Sequence, residues 1–391
     1  MQKHKSFDIL ISGGGLAGLT AALALSNAGS HVGICVKGSP SSDNRTTALL
    51  SDSIDYLAKL GVWEGVSDLA YPLKTMRLVD ATDRLFRFQQ ADFNASEIGI
   101  EAFGYNVLNR DLAASITSQL KKADLVEFIS AELEAVEPVE GKITAQLREE
   151  NDDLTDVQAG FIVGADGRNS VVRKSFGFGQ SEWSYPQKAI VLDFEHQYSS
   201  HFTSTEFHTE SGPFTIVPHS RNKAGLVWLE KPEKADAIKE MNAADLNLVL
   251  EEKMDSYLGK VSVVNQVQLF PISGLTAKRF GDGNHALIGE AAHVFPPIGA
   301  QGFNLGIRDV AELARVLSRF TDTENRGRKY HQARLADVKT RTIGVDLLNR
   351  SLIYSFLPVQ MIRSAGIFAL NTFQPLRKQA MKMGMSPIFN G

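Results

Sequence analysis

The sequence predicts an α/β fold in which a parallel-sheet domain is interleaved with a mixed β-sheet domain and followed by C-terminal helices. Three observations predict it: a strand, glycine turn and helix at the N-terminus, two later strand-to-loop junctions, and a middle region with strand periodicity. All three junctions follow apolar strands at their carboxyl ends. This arrangement suits one large cofactor lying across a parallel sheet.

The first junction is the run FDILISGGGLAGLTAALALSNAG, from Phe7 to Gly29. A short apolar strand runs through Gly13-x-Gly15-x-x-Gly18 into a helix rich in alanine and leucine. Gly13 permits the tight turn, Gly15 lets the backbone approach a pyrophosphate, and Gly18 allows the helix to pack on the strand. Free N–H groups at the helix N-terminus favour the anion. The junction therefore predicts a Rossmann-like dinucleotide site.

This site lacks the carboxylate that usually holds the ribose of a dinucleotide. That residue lies about 20 residues beyond the glycines, and here the position is Val36, within HVGICVKG. No acidic residue lies between Asp8 and Asp43. Lys37, which follows Val36, is counted among the candidate cofactor contacts. Either another group holds the ribose or none does.

The second junction is GFIVGADGRNSVVR, residues 160–173, where Asp166 and Gly167 follow an apolar strand. An Asp-Gly pair there fits a turn beside a ligand, although plain surface turns use the same pair. The third junction is NHALIGEAAHVFPPIGAQGFNLGIRDVAELARVL. It predicts a strand over residues 286–289, a loop rich in glycine and proline, and a long helix from about Asn304. That helix offers a second N-terminus to a ligand.

Together these three motifs are similar to the fingerprints of single-component, FAD-dependent aromatic hydroxylases related to para-hydroxybenzoate hydroxylase. The stretches RTTALLSDSIDYLAKLGVW and FGYNVLNRDL, at residues 45–63 and 103–112, resemble more narrowly the ubiquinone-biosynthesis hydroxylases of that superfamily. The resemblance spans roughly residues 6–375. It implies a Rossmann-like FAD-binding domain and a monooxygenase reaction. NADH or NADPH would reduce FAD, and dioxygen would supply one oxygen atom to the ring of a polyprenylated phenol.

The resemblance also implies which residues contact FAD. Arg45 and Arg110 would lie beside the adenosine and ribityl portions, and Asp166 would serve FAD and the entry of the reduced nicotinamide. Glu290 would lie near the ribityl and phosphate oxygens, and the loop after it would surround the flavin ring. The candidate cofactor contacts are Gly13, Gly15, Gly18, Lys37, Arg45, Arg110, Asp166, Gly167, Gly289, Glu290, Pro297, Gly299, Ala300, Gln301, Gly302 and Asn304.

The chain departs from the family pattern at three places. Val36 replaces the ribose carboxylate, Glu290 replaces the usual aspartate, and Gly299-Ala300 inverts the usual Ala-Gly order. Glutamate keeps the charge of aspartate and adds one methylene group, so we interpret Glu290 as a working replacement. Alanine still supplies a backbone N–H unless the site demands a positive φ. The departures therefore bear on individual contacts more than on FAD itself.

The sequence does not identify the catalytic residues. His293 is a candidate acid or base, but it recurs in the motif of the resembling family, where it would only order the loop. His219, after the predicted strand GPFTIVPH, and Tyr185 are candidate substrate-side groups, and each is equally read as an ordinary strand-end residue. The chain has no CxxC pair, HExxH motif or histidine cluster. We therefore expect no metal site.

The predicted domains are discontinuous. The runs YPQKAIVLDFEHQ, FTSTEFHT, GPFTIVPH and KAGLVWLEK alternate apolar and polar residues, which is typical of the strands of a substrate-domain sheet. The predicted ranges are 1–75, 104–178 and 270–330 for the FAD-binding domain, 76–103 and 179–269 for the substrate domain, and 331–391 for the C-terminal helices.

The segment SLIYSFLPVQMIRSAGIFALNTFQPLRK, residues 351–378, is unusually apolar for a chain end. One interpretation is a helical layer packed on its own domain. The other is a surface that contacts a membrane or a protein of a biosynthetic complex, and serves a substrate with a polyprenyl chain. The sequence leaves both interpretations open.

Composition excludes several classes of protein. The 41 basic and 45 acidic residues are mixed along 391 residues and give a net charge of −4, so nucleic-acid binding is not expected. The single Cys35 lies in an apolar strand, which fits a buried residue in a reducing compartment. No apolar run approaches the roughly 18 residues of a membrane span, and the N-terminus does not read as a secretion signal. A cytoplasmic protein is expected, with peripheral binding to the inner membrane face left open.

Two alternatives to hydroxylation remain at this stage. One is another flavin reaction of the same fold, such as epoxidation, halogenation or double-bond reduction. The paired-tryptophan signature of flavin halogenases is absent among Trp63, Trp183 and Trp228. The other is a non-catalytic flavoprotein scaffold in a lipid-biosynthesis assembly. Bound flavin together with substrate-stimulated NAD(P)H oxidation would separate these alternatives.

Overall fold

The computed structural model describes residues 5–38, 43, 45–82, 90–139, 141–297, 301–319, 325–353, 366 and 368–384. Within these residues the strands form a parallel sheet with antiparallel additions, a mostly antiparallel sheet and a small antiparallel sheet. The predicted α/β class, with a Rossmann-like domain, a mixed-sheet domain and C-terminal helices, is confirmed.

The strands are β1 (Lys5–Ser12), β2 (Val32–Cys35), β3 (Thr46–Leu50), β4 (Tyr71–Leu73), β5 (Thr75–Asp80), β6 (Gln90–Asn94), β7 (Gly104–Leu108), β8 (Val126–Ile129), β9 (Ala131–Val139), β10 (Lys142–Glu149), β11 (Leu154–Gly164), β12 (Gln180–His196), β13 (Thr203–Thr209), β14 (Gly212–Ser220), β15 (Lys223–Glu230), β16 (Val261–Val263), β17 (Gln268–Ala277), β18 (Gly281–Asp282), β19 (His285–Leu287) and β20 (His293–Val294). The α-helices are α1 (Leu16–Asn27), α2 (Ser51–Lys59), α3 (Asn109–Leu120), α4 (Val171–Ser175), α5 (Pro232–Lys239), α6 (Ala243–Lys253), α7 (Gln301–Arg319), α8 (Arg326–Ile353) and α9 (Gln374–Gly384).

The first sheet carries the three predicted junctions at the carboxyl ends of its strands. Its parallel strands lie in the order β19-β11-β1-β2-β8, and the antiparallel β18, β10 and β9 extend it. Helices α1, α3 and α7 pack together over the sheet. The consecutive residues Ile9, Leu10 and Ile11 of β1 are all buried, so both faces of this strand are covered. The third junction is slightly displaced from its prediction, because the strand is His285–Leu287 and the helix begins at Gln301.

The second sheet contains the predicted alternating strands. Its order is β20-β17-β12-β15-β14-β13-β5-β6, with β16 also paired to β12, and only the β13–β5 pair is parallel. One face packs on α5 and α6, where Phe214, Leu226 and Trp228 meet Leu246 and Leu250. The opposite face holds a smaller apolar cluster around Tyr185, Ala189, Leu229 and Ile272.

Helix α8 contacts both of these sheets. Near its start, the Tyr330 hydroxyl donates a hydrogen bond of 3.0 Å to the carbonyl oxygen of Leu287 in β19. About four turns later, Asp346 accepts a hydrogen bond of 2.5 Å from the Tyr185 hydroxyl in β12. The small sheet, in the order β3-β7-β4, contacts β14 and lies beside the N-terminal end of α7. The site described below is therefore built where three sheets meet.

The C-terminal region is helical in the part that the structure describes. Helix α8 begins at Arg326, five residues before the predicted start of the C-terminal helices. Helix α9 docks beside β6, where Arg377 forms an ion pair of 2.6 Å with Glu97 and lies over the ring of Phe93. None of the described helices is long and apolar enough to cross a bilayer. Residues 354–365 of the apolar segment lie outside the described residues, and the domain boundaries stay predictions.

Candidate active site

The glycine turn leaves open space for a phosphate in front of α1. Gly13 has φ +115°, and a Cβ there would overlap the carbonyl oxygen of Ala165. A Cβ on Gly18 would overlap the carbonyl oxygen of Gly13. At Gly15, by contrast, a Cβ would meet no atom within 4 Å, and no side chain caps the helix that follows. Gly13 and Gly18 therefore close the turn, and the N-terminus of α1 is left for an anion.

Backbone contacts bring the three junction loops together. The amide of Ala165 donates to the carbonyl of Ser12 at 2.8 Å, and the amide of Ile288 donates to the carbonyl of Gly164 at 2.9 Å. Gly289 has φ +56°, and a Cβ there would lie 3.1 Å from the Cβ of Ala17 in α1. The loops after β1, β11 and β19 therefore form one continuous surface at the carboxyl ends of the strands.

Asp166 in the second loop binds the start of a helix through one carboxylate oxygen, and its other oxygen has no partner among the described residues. Its Oδ2 accepts hydrogen bonds from the amides of Val171 and Val172, at 2.7 and 3.3 Å, at the start of α4. Its Oδ1 is buried and accepts no hydrogen bond from any described residue. Gly167 follows with φ +74°. A buried carboxylate oxygen without a partner fits a ligand that supplies a hydroxyl or N–H donor.

The predicted arginines lie beside an aspartate that the sequence reasoning did not assign. The Arg45 side chain binds Asp43 through Nε and Nη2, at 2.9 and 2.8 Å, and Asn109 donates to the same carboxylate at 2.8 Å. Burial alone would raise the pKa of Asp43, but these hydrogen bonds lower it to about 2. The backbone amide of Arg110 binds the carbonyl of Asp43 at 3.1 Å. The hydrogen bond with Asp43 raises the pKa of Arg45, and the charge of the exposed Glu290 raises it further.

The two residues at the position of the missing ribose carboxylate make protein contacts. The side chain of Val36 fills the space beside Gly14, where an added Cβ would lie 2.6 Å from Cγ1. Lys37 is exposed and forms an ion pair of 2.7 Å with Glu132. Its role in cofactor binding stays a prediction.

His293 is a buried partner of Asp309. Its Nε2 lies 2.7 Å from Asp309 Oδ2, and both side chains are only 1% exposed. The amide of Gly289 donates to the same oxygen at 2.9 Å, and Arg334 of α8 binds the other oxygen at 2.8 Å. Burial would raise the pKa of Asp309, but His293 and Arg334 lower it. This geometry favours the interpretation in which His293 orders the loop.

Asn304 ties the first turn of α7 to the small sheet. Its amide donates to the carbonyl of Ala48 at 2.8 Å and accepts from the amide of Leu50 at 2.9 Å. Pro297 and Gly302 flank the predicted flavin-ring loop. Gly299 and Ala300 lie outside the described residues, as does the side chain of Gln301.

The two substrate-side candidates differ in their surroundings. The Tyr185 hydroxyl is used by the protein, because it donates to Asp346 and accepts from Trp183 Nε1 at 2.8 Å. His219 lies 3.5 Å from Asp193, and its Nε2 has no hydrogen-bond partner among the described residues. Sequence reasoning missed Asp43, Asn109, Asp309, Arg334 and Asp193. Of these five residues, Asp309 could have been identified from the sequence, because it lies within the third motif.

The FAD binding domain family matches residues 6–342. The chain also resembles ubiquinone hydroxylase UbiL of Rhodospirillum rubrum, with 30% identity over 98% of this chain and 90% of the relative. The chain belongs to the family of FAD-dependent ubiquinone-biosynthesis hydroxylases.

Another relative of this hydroxylase is the 3-demethoxyubiquinol 3-hydroxylase of Escherichia coli, which is 27% identical over 97% of this chain and 98% of the relative. The fold matches p-nitrophenol 4-monooxygenase PnpA from Pseudomonas putida with a TM-score of 0.79 and 16% identity, over 97% of this chain and 98% of that one. The hydroxylase is an FAD-dependent monooxygenase that uses NAD(P)H and acts on an aromatic ring in ubiquinone biosynthesis.

Proposed function

We propose that this hydroxylase adds a hydroxyl group to the ring of a polyprenylated phenol, with dioxygen as oxygen donor and NADH or NADPH as reductant. Bound FAD supplies the electron transfer and the activation of oxygen. The protein binds and orients the cofactor and the phenol, and it excludes water from the site. The single observation that carries this proposal is the open space at Gly15, which precedes an uncapped helix at the sheet edge where the loops of Asp166 and Glu290 also lie.

Each loop has a proposed role in holding FAD. The amides at the start of α1 bind the pyrophosphate, and Asp166 Oδ1 accepts a hydrogen bond from the cofactor. Arg45, fixed by Asp43, places a positive charge beside the carboxylate of Glu290. In this proposal the two side chains provide a donor and an acceptor beside the ribityl portion of FAD. The remaining candidates of the third loop, from Pro297 to Gly302, surround the flavin ring in this proposal.

Gly15→Val tests the cofactor site without straining the backbone. Gly15 has φ −72° and ψ 174°, which valine adopts readily, and its added atoms meet no neighbour within 4 Å. We therefore expect a folded protein that is colourless after incubation with excess FAD. Gly344→Val is the matched control, because Gly344 lies in α8 with equally open space. If Gly15→Val retains flavin as the control does, the phosphate does not bind at this turn.

The reaction itself is tested in cells. A deletion strain without a redundant hydroxylase should accumulate a prenylated ring that lacks one hydroxyl-derived substituent, and its quinones are measured by mass spectrometry. Complementation with the Gly344→Val gene should restore the quinone, and the Gly15→Val gene should not. A normal quinone pool in the deletion strain contradicts the proposal. Yellow protein with a normal quinone pool would instead favour a scaffold or another flavin reaction.

The C-terminal helices are proposed to contact the membrane that holds such a substrate. Large apolar side chains are exposed there, including Leu347 at 62%, Phe368 at 66% and Phe373 at 60%. Lys378 and Lys382 lie on the same terminal region and suit the anionic surface of a cytoplasmic leaflet. The hydroxylase would thus be a cytoplasmic protein bound peripherally to the inner membrane face. A partner protein of a biosynthetic complex is the alternative occupant of this surface.

A further inference from the structure

A histidine and an aspartate share the sheet face opposite the α5–α6 core. Val217, Gly225 and Asp193 lie side by side in β14, β15 and β12. Directly paired residues of an antiparallel sheet point to the same face. Leu226, one residue after Gly225, belongs to the core that α5 and α6 cover. Gly225 and Asp193 therefore point to the other face, where the cluster around Tyr185 lies.

The ring of His219 occupies the space above Gly225. A Cβ added to Gly225 would lie 2.6 Å from His219 Nε2 and 3.3 Å from Asp193 Oδ1. Asn265 donates to Asp193 Oδ2 at 3.0 Å and so fixes the carboxylate. The carboxylate thus faces Nε2 at 3.5 Å. Nδ1, across the ring, makes no hydrogen bond with any described residue.

This pair is connected to the flavin side by a short series of contacts. The side-chain amide of Asn106 in β7 donates to the carbonyl of Pro218 at 3.1 Å. Asn106 is paired with Ala48 in β3, and the carbonyl of Ala48 binds Asn304 in the first turn of α7. That turn directly follows the loop proposed to surround the flavin ring. His219 therefore lies beside the elements that would place the substrate ring next to the flavin.

Burial favours the neutral form of the His219 imidazole more strongly than the nearby charge of Asp193 opposes it. Burial lowers the pKa of His219, Asp193 raises it and Lys223 lowers it, with a lowered pKa as the result. The neighbouring Asn106 of β7 carries no charge. A neutral imidazole with a carboxylate at one nitrogen has the other nitrogen free as a proton acceptor.

We propose that His219 binds the phenol hydroxyl of the aromatic substrate and accepts its proton at Nδ1, with Asp193 as the positioning residue. The phenol O–H bond breaks, the proton moves to Nδ1, and the electron pair stays on the phenolate oxygen. The carboxylate of Asp193, 3.5 Å from Nε2, stabilises the imidazolium that forms through its charge. The phenolate is more electron-rich than the phenol and so accepts an electrophilic oxygen atom more readily. This inference rests on the proposed function, because it requires a phenolic substrate.

The test measures ionisation of a bound phenol rather than turnover. The probe is 4-nitrophenol, whose anion absorbs visible light, titrated against the FAD-loaded protein as a difference spectrum over pH. An imidazolium within a few ångströms should increase the ionisation constant of the bound probe by about tenfold or more, which lowers its midpoint by about one pH unit. His219→Gln should lose this shift, and Asp193→Asn should lose part of it.

His196→Gln is the matched control. His196 is a buried histidine of β12, and its Nδ1 binds the carbonyl of Tyr198 at 2.7 Å. It lies on the same sheet face as the core residue Phe194, opposite the face of Asp193. We expect the wild-type midpoint for this variant. If His219→Gln does not fold, Asp193→Asn carries the test. An equal midpoint in the wild type and these variants, or no bound-anion band in the wild type, overturns the inference. Because the protein is FAD-loaded, that result leaves the cofactor site intact and is distinct from failure of the proposed function.

Discussion

Replacing Arg334 with methionine should destabilise the loop that carries Glu290. Arg334 binds Asp309 at 2.8 Å and Asp337 at 2.7 Å, and its own side chain is 6% exposed. Removing one partner of a buried ion pair costs about 3–5 kcal/mol, because the other charge stays buried and uncompensated. Asp309 keeps its contacts with His293 and with the amide of Gly289. We therefore expect the free energy of unfolding to fall by about 3 kcal/mol, at the low end of this range.

Neither Asp337 nor the helicity of α8 should add much to this loss of stability. Asp337 is 26% exposed and keeps Arg341 at 2.9 Å, so it should add little to the loss. Methionine forms helices well, so α8 itself should persist. The control is Lys188→Met, which removes the half-buried partner of the exposed Asp236 and should lower the free energy of unfolding by only about 0–1 kcal/mol.

The assay is urea unfolding of FAD-free protein, followed by circular dichroism at neutral and acidic pH. The folded pKa of Asp309 lies below its ordinary value of 3.8. The charge of Asp309 therefore contributes fully to the free energy of unfolding above pH 3.8, and this contribution is lost as the pH falls through the folded pKa. The difference between the wild type and Arg334→Met should therefore shrink in acid. A neutral-pH loss no larger than that of Lys188→Met would refute the reasoning.

Three further outcomes follow from the geometry. Glu290→Gln should weaken FAD binding about tenfold to hundredfold in a fluorescence titration, since a charged acceptor contributes about 1.5–3 kcal/mol. Glu290→Asp should be milder, and equal binding by wild type and Glu290→Gln would show that the carboxylate holds no cofactor. Leu347→Ser with Phe373→Ser should reduce sedimentation with anionic liposomes, whereas Leu154→Ser, at a site 51% exposed in β11, should not. Unchanged sedimentation excludes lipid contact. Burial raises the pKa of Cys35 to about 12, so thiol reagents should label it only after unfolding, and rapid labelling of native protein would contradict its burial.

The sequence predicts the phosphate turn because every part of it is local. Gly13, Gly15 and Gly18 lie within one strand, turn and helix, and each glycine has a separate steric reason that the pattern expresses. The buried pair Asp309–Arg334 is different, because the two residues lie in separate helices and charged side chains on a helix are usually solvated. Asp193 lies in β12 and His219 in β14, and β15 lies between these two strands in the sheet. Their proximity therefore depends on the strand order, which a single sequence does not reveal.

Helix α8 acts as a mechanical link between the two large sheets. A helix of 28 residues is about 42 Å long. It is fixed to the loop after β19 through Asp309 and to β12 through Tyr185. Because a helix is stiff along its axis, neither sheet can move away from the other without bending the helix or breaking one of these anchors. A movement of the second sheet would therefore also displace the loop that carries Glu290. The positions of the two sheets are thus coupled through α8.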